Sequence, residues 1–174
     1  MSILSQQQRL RLIGANKRGS SPERRNTMSA TATTILQPIP YLAFNGNCEE
    51  AMRFYESALG GEITLLMRGK DCPPSFEVPA EAREGVMNAQ LRLPGGGWLF
   101  AGDTPFPASY EGIKGVSITL NYATAEEAEK AFTTLSEGGS TFMPFGPTFW
   151  AKGFGMCTDK FGTPWTVNGE LAVF

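Results

Sequence analysis

Two stretches of the chain repeat one order of hydrophobic and polar patterns: an alternating run, an amphipathic helical run, then three more alternating runs. In the first stretch Ile39–Phe44 reads as a strand and Asn45-Gly46 as a turn. Asn47 is placed to cap a helix, with Glu50 three positions on, as in a capping box. Ala51, Phe54, Tyr55, Ala58 and Leu59 share one stripe of that helix, while Glu49, Glu50, Arg53 and Glu56 face water. Glu49 and Arg53 have the spacing of an i,i+4 ion pair, and Gly60-Gly61 ends the helix. Strands Glu62–Arg68, Val86–Leu93 and Trp98–Asp103 follow, the last two joined over Pro94-Gly95-Gly96-Gly97.

In the second stretch Val116–Tyr122 is the opening strand, and Thr124 with Glu127 forms a capping box. Ala125, Ala128, Phe132 and Leu135 make the apolar stripe, and Gly138-Gly139 stops the helix. Strands Thr141–Phe145, Phe149–Thr158 and Pro164–Glu170 complete the unit. Asp159 and Gly162 stand at the first and fourth positions of a type I turn between the last two. Pro164 opens the final strand, one of the few places a ladder tolerates proline.

Setting Glu49-Glu50-Ala51 over Glu126-Glu127-Ala128 superposes the two strand–helix openings. Setting Trp98 over Trp165 brings Asp103 level with Glu170. The pattern predicts an α+β domain over residues 38–174, built of two degenerate βαβββ modules at about 38–103 and 115–171. Gly69–Gly85, with three prolines, has the length of a functional lid or a disordered loop. Thr104–Lys114 is the linker between modules. Residues 1–37 show no sustained period and are read as a disordered tail, without the apolar region of a signal peptide. The tail faintly resembles a transit peptide, and translation beginning at Met28 is the preferred account of it.

Strand alternation sorts the candidate residues by face. Asn88, Gln90 and Arg92 oppose Met87, Ala89, Leu91 and Leu93; Ser117, Thr119 and Asn121 oppose Val116, Ile118, Leu120 and Tyr122. Thr166, Asn168 and Glu170 oppose Trp165 and Val167. The apolar faces must cover the helices. The polar faces either look into solvent or curve around a cup.

Charge narrows the partners. Residues 1–27 hold six Lys/Arg against Glu23, so the remainder, with nine basic and sixteen acidic residues, has a formal charge of −7. A domain that acidic argues against a nucleic-acid partner. No run approaches the about 18 apolar residues of a membrane span. Cys48, Cys72 and Cys157 form no metal-ligand spacing and no disulfide framework, which points to a reducing cytoplasm. The chain has no histidine. Cys48 follows a helix cap, where a thiol becomes nucleophilic, but a Cys–His mechanism is excluded and a small buried residue is the plainer reading. Trp150 and Phe154 share a face and fit either a clamp over a flat ligand or core and dimer packing.

The run FWAKGFG followed by TDKFG-x-PW-x-x-N, with PYLAFNGNCEEAMRFYESALGGE at residues 40–62, resembles the PhnB/YjdN-like branch of the vicinal-oxygen-chelate superfamily. That superfamily includes glyoxalase I, bleomycin-resistance proteins and extradiol dioxygenases, and the resemblance covers roughly residues 38–171. It implies two curled sheets around a ligand cavity, and so selects the cup. The ligand-binding residues it implies are Asn88, Gln90, Thr119, Trp150, Phe154, Asn168 and Glu170, in a homodimer binding an unidentified small molecule. Enzymes of the superfamily hold a divalent metal with His and Glu. Glu170 fits the position of the last such ligand, whereas Asn88 in VMNAQL stands where a histidine is usual, so no catalytic transition metal is expected. A metal-dependent lyase, isomerase or dioxygenase, and a non-catalytic oligomerisation scaffold, are the rival readings. Some members carry a methyltransferase label, but Gly95-Gly96-Gly97 joins two strands and opens no helix for a nucleotide-like cofactor.

Overall fold

A computed structural model describes residues 37–105 and 107–172. The expectation for the tail, residues 1–37, lies outside the described residues except at Gln37. Eight strands and two helices follow in the predicted order: β1 Tyr41–Phe44, α1 Cys48–Leu59, β2 Glu62–Arg68, β3 Val86–Arg92, β4 Trp98–Asp103, β5 Ile118–Tyr122, α2 Ala125–Ser136, β6 Ser140–Gly146, β7 Ala151–Thr158 and β8 Pro164–Leu171. They form two four-stranded mixed sheets, in the orders β1-β4-β3-β2 and β5-β8-β7-β6. In each, the strand before the helix pairs in parallel with the last strand, and the other ladders are antiparallel. The two βαβββ modules are thus present as read.

Helix α1 packs on the first sheet, α2 on the second, and the helices touch each other. Leu42, Phe44, Ala89, Leu91, Leu99 and Ala101 from the first sheet meet Cys48, Ala51, Met52 and Tyr55 of α1 in a core that continues through Ala128, Phe132, Leu135, Trp165 and Val167. The alternation therefore works as expected: the faces holding these residues carry the helices, and Asn88, Gln90, Thr166 and Asn168 lie on the opposite faces.

The two helix starts differ. Thr124 Oγ1 accepts from Glu127 N at 3.2 Å, and its hydroxyl donates to Glu127 Oε2 at 3.0 Å, a local box. Asn47 makes no side-chain cap. Its place is taken by Asp103, from the end of β4, whose Oδ1 accepts from Gly46 N at 2.8 Å and Cys48 N at 3.1 Å, while Oδ2 accepts from Val86 N at 2.8 Å. A full negative charge at the positive end of the helix dipole is a stronger partner than an amide.

The alignment of Trp98 with Trp165 is one residue out. Ala101 pairs with Leu42 and Ala89, as Val167 pairs with Leu120 and Gly155, so Ala101 and Val167 are the equivalent positions. Asp103 then corresponds to Gly169, not to Glu170. A slip of one residue turns every side chain to the other face. Trp165 lies fully in the core, whereas Trp98 is half-buried on the helix-free side.

The TDKFG-x-PW motif is the joint between the modules. Asp159 is 3% exposed. Its Oδ1 accepts from Phe161 N at 2.8 Å and Thr163 N at 3.0 Å, shaping the turn that Gly162, at φ +86°, completes. Its Oδ2 accepts from Trp165 Nε1 at 2.7 Å and from the Tyr55 hydroxyl of α1 at 2.8 Å. Tyr55 also lies 2.8 Å from Thr163 Oγ1 and edge-on to Trp165.

The long loop is not structureless. Gly69 N donates to Gly85 O at 3.0 Å and Lys70 N to Arg83 O at 2.8 Å, which pins its base, and short 3₁₀ turns occupy Gly69–Asp71 and Ala80–Ala82.

Candidate functional site

The ladders set the helix-free faces in rows. In the first sheet Tyr41, Phe100, Gln90 and Leu65 lie side by side across β1, β4, β3 and β2. Further along the strands Ala43 lies beside Gly102, and Asn88 beside Met67. In the second sheet the matching rows are Thr119, Thr166, Met156 and Met143, then Asn121, Asn168, Phe154 and Gly146. Each face therefore mixes rings and thioethers with amides and hydroxyls at strand spacing.

In the second sheet the polar groups are partly spent on one another. Asn168, 8% exposed, donates from Nδ2 to Asn121 Oδ1 at 3.0 Å, and Thr166 and Ser117 hydroxyls lie 2.7 Å apart. Thr119, beside Thr166, is exposed. Phe149, Trp150 and Phe154 form an edge-to-face series with centroids 4.6 and 5.1 Å apart, because the chain bends at residues 149–150 just before β7 and folds Trp150 back over Phe154. These rings and Asn168 come together as one patch.

Glu170 is placed differently from its expected role. Its backbone lies in the left-handed region at φ 54°, the sole non-glycine described residue to do so, and its carboxylate pairs with Lys152 of β7. Asn88 and Gln90 belong to the other sheet. Among the described residues no hydrogen bond or ring contact joins them to Thr119, Trp150, Phe154, Asn168 or Glu170. The seven candidates thus form two groups, one on each face. They lie outside the cleft of about 740 Å³ at the long loop and the groove of about 680 Å³ between the helices.

Asn88 has one unusual property. Its Oδ1 is buried and has no hydrogen-bond partner. Tyr41, the ring nearest Gly102, gives its hydroxyl hydrogen to Met87 O at 3.1 Å instead.

The metal of the catalytic relatives does not fit this donor set. The chain lacks histidine, Asn88 offers an amide, Glu170 is engaged by Lys152, and among the described residues no three of His, Cys, Asp or Glu converge on a point. Nor is Cys48 built to attack. It is fully buried, and burial, with Asp103 and Glu49 nearby, pushes its thiol up to about 12. The carboxylate that caps α1 opposes thiolate formation, so the helix-start effect is cancelled.

Tyr41 and Phe100 were missed as face residues. Their signal was the alternation itself, since Leu42 and Phe44, and Leu99 and Ala101, are the buried partners in each strand. Lys152 was missed because only the β7–β8 register brings it to Glu170.

Residues 38–167 match the family model described as the Glyoxalase/Bleomycin resistance protein/Dioxygenase superfamily. Protein YjdN of Escherichia coli is 33% identical over 141 residues, covering 74% of this chain and 92% of that protein. The crystal structure of protein PA1353 from Pseudomonas aeruginosa is similar with 48% identity and a TM-score of 0.71, covering 78% of this chain and 98% of that one. A PhnB protein from Bacillus cereus follows with 26% identity and a TM-score of 0.63, covering 76% and 98% respectively.

Proposed function

The chain belongs to the glyoxalase/bleomycin resistance protein/dioxygenase superfamily, in its PhnB/YjdN-like branch, and from that premise we propose that it binds a small organic molecule on the helix-free sides of its sheets. The observation that carries this reading is the make-up of those faces. A sheet face turned to bulk solvent needs no aromatic cluster, yet Trp150 packs on Phe154 and Trp98 on Phe100 at 6.1 Å, with Gln90, Thr119 and Asn168 interleaved. Rings for area and a few amides for orientation are the composition of a ligand site. Binding proceeds without a transition metal, for the reasons of donor chemistry given above.

A second copy of the chain completes the site. Phe142 and Phe149 are 81% and 83% exposed on β6 and on the segment leading into β7, and Met143 adds to the same edge. Apolar groups that open favour burial against a partner. The acidic domain disfavours a nucleic-acid partner; among the described residues no helix is long and apolar enough to cross a membrane. The three thiols, all free, suit a cytoplasmic location.

A screen of aromatic fragments read by amide chemical shifts tests the binding reading. Shifts should gather at Gln90, Thr119, Phe154 and Asn168, and shifts confined to the groove between helices would refute it. Elemental analysis of the same preparation should find zinc, nickel and iron well below one per chain. Stoichiometric metal that is lost on Glu170→Gln would overturn the metal-free reading and favour the metal-dependent enzyme.

A further inference from the structure

We propose that the ligand of the first sheet is an uncharged, ring-bearing molecule that donates a hydrogen bond to Asn88 Oδ1; this rests on the binding reading above. A buried acceptor without a donor loses its hydration with no return, which is why nearly every such group in a native protein is paired. Asn88 Oδ1 is the sole such side-chain atom among the described residues. Its ladder partner offers it nothing: Met67, directly across, has no side-chain donor. Tyr41, in the adjoining row, spends its hydroxyl hydrogen on Met87 O.

The row beside Asn88 carries ring surface. Tyr41, 57% exposed, stands beside Phe100 in register, Phe100 packs edge-on against Trp98, and Gln90 lies two residues from Asn88 on the same face. Among the described residues the charges of these faces are paired. Arg92 pairs with Glu62 at 2.6 Å, and Lys152 pairs with Glu170. An ionised ligand would leave water for a surface of rings and amides whose described charges are already paired, at a desolvation cost that those groups do not repay. A neutral hydroxyl or N–H on an aromatic or otherwise flat apolar body meets every requirement: area for the rings, a hydrogen for Asn88.

Three probes of one shape separate these elements: 2-naphthol, 2-methoxynaphthalene and 2-naphthoate. Each is titrated by chemical shift into the protein and into Asn88→Leu and Phe154→Ala. In the unmodified protein 2-naphthol should bind about five- to tenfold more tightly than its donor-free ether, the worth of one hydrogen bond, and 2-naphthoate should bind weakest. In Asn88→Leu the naphthol and the ether should bind alike. The ligand-free variant should melt no lower than the parent, because the lost amide satisfied nothing; a purely structural Asn88 would lower it. Equal binding of naphthol and ether in the parent, or an advantage that survives Asn88→Leu, overturns the assignment to Asn88 and leaves the binding reading standing. Tightest binding of 2-naphthoate overturns the uncharged class. If a probe binds only through the second sheet, so that Phe154→Ala abolishes it and Asn88→Leu does not, the first-sheet site is refuted. Absence of shifts from all three on either face overturns both readings.

Discussion

Asp159→Asn should be among the most damaging conservative changes in the chain. The carboxylate accepts four hydrogen bonds, two on each oxygen, and is buried to 3% exposure. An asparagine keeps one oxygen and turns an NH₂ toward either two backbone N–H groups or Tyr55 and Trp165. Two charge-assisted bonds disappear, at about 1.5–3 kcal/mol each, and donors face donors. The expected loss is about 3–5 kcal/mol, a large part of the about 5–15 kcal/mol that holds a domain together. Urea titration followed by tryptophan fluorescence, to which buried Trp165 contributes, measures it, and the midpoint should fall with an unchanged slope. Tyr55→Phe removes one donor, leaves the turn intact and strips Thr163 of its partner, so about 1–3 kcal/mol is expected. The double variant should show coupling, since both changes act on one oxygen. A loss under about 1 kcal/mol for Asp159→Asn, or a Tyr55→Phe loss that equals it, would refute the view that this carboxylate joins the modules.

Three further outcomes follow from single residues. With Cys48 raised to about 12 and Cys157 to about 11 by burial, a thiol reagent at mildly alkaline pH should modify Cys72 alone until urea unfolds the chain; rapid labelling of Cys48 in the native protein would contradict its burial. Hydrogen bonds from Arg53 and Arg68 hold the Glu49 carboxyl below its usual range, so its contribution is present above that range and is lost as pH falls through the lowered value. Urea midpoints measured across the acid range should accordingly fall less steeply in Glu49→Gln. Gly169→Ala would set a methyl 2.7 Å from the Ala125 backbone and 2.8 Å from Thr124 O, costing about 1–3 kcal/mol by overpacking, whereas Gly146→Ala meets nothing within 4 Å and should be neutral in the same melt.

What could be read from the chain was whatever repeats within a few residues. Ala51 and Tyr55 of the α1 stripe, the Thr124–Glu127 box, the Asp159–Gly162 turn and the period of β8 as far as Gly169 all rest on neighbours at short spacing, and each stands where it was placed. Fully buried Met52 was not read into the stripe. Contacts between distant segments were silent. Asp103 displaces Asn47 as the cap from 55 residues away, which no local motif announces. The local half of Asp159's role was visible as a turn preference; the half that reaches Tyr55, 104 residues earlier, was not. The alignment of the two modules slipped because Trp98, Leu99, Phe100 and Ala101 are apolar on both faces, so alternation does not mark which side is core. The site suffers most from this limit. Faces could be assigned strand by strand, but the pairing of Glu170 with Lys152 and the bare oxygen of Asn88 depend on which strands become neighbours.

The distant closure of α1 bears on how the polypeptide is made. A ribosome releases Cys48–Leu59 long before Asp103, and Tyr55 long before Asp159. The first helix therefore leaves the tunnel without its cap and with its largest polar ring unpartnered, and short helices in that condition are marginal in water. The amino-terminal module is not a product that can be finished and set aside while the second is translated. Chains cut short before Asp159 should be held by chaperones and removed by proteases, and the two modules should not survive being expressed apart.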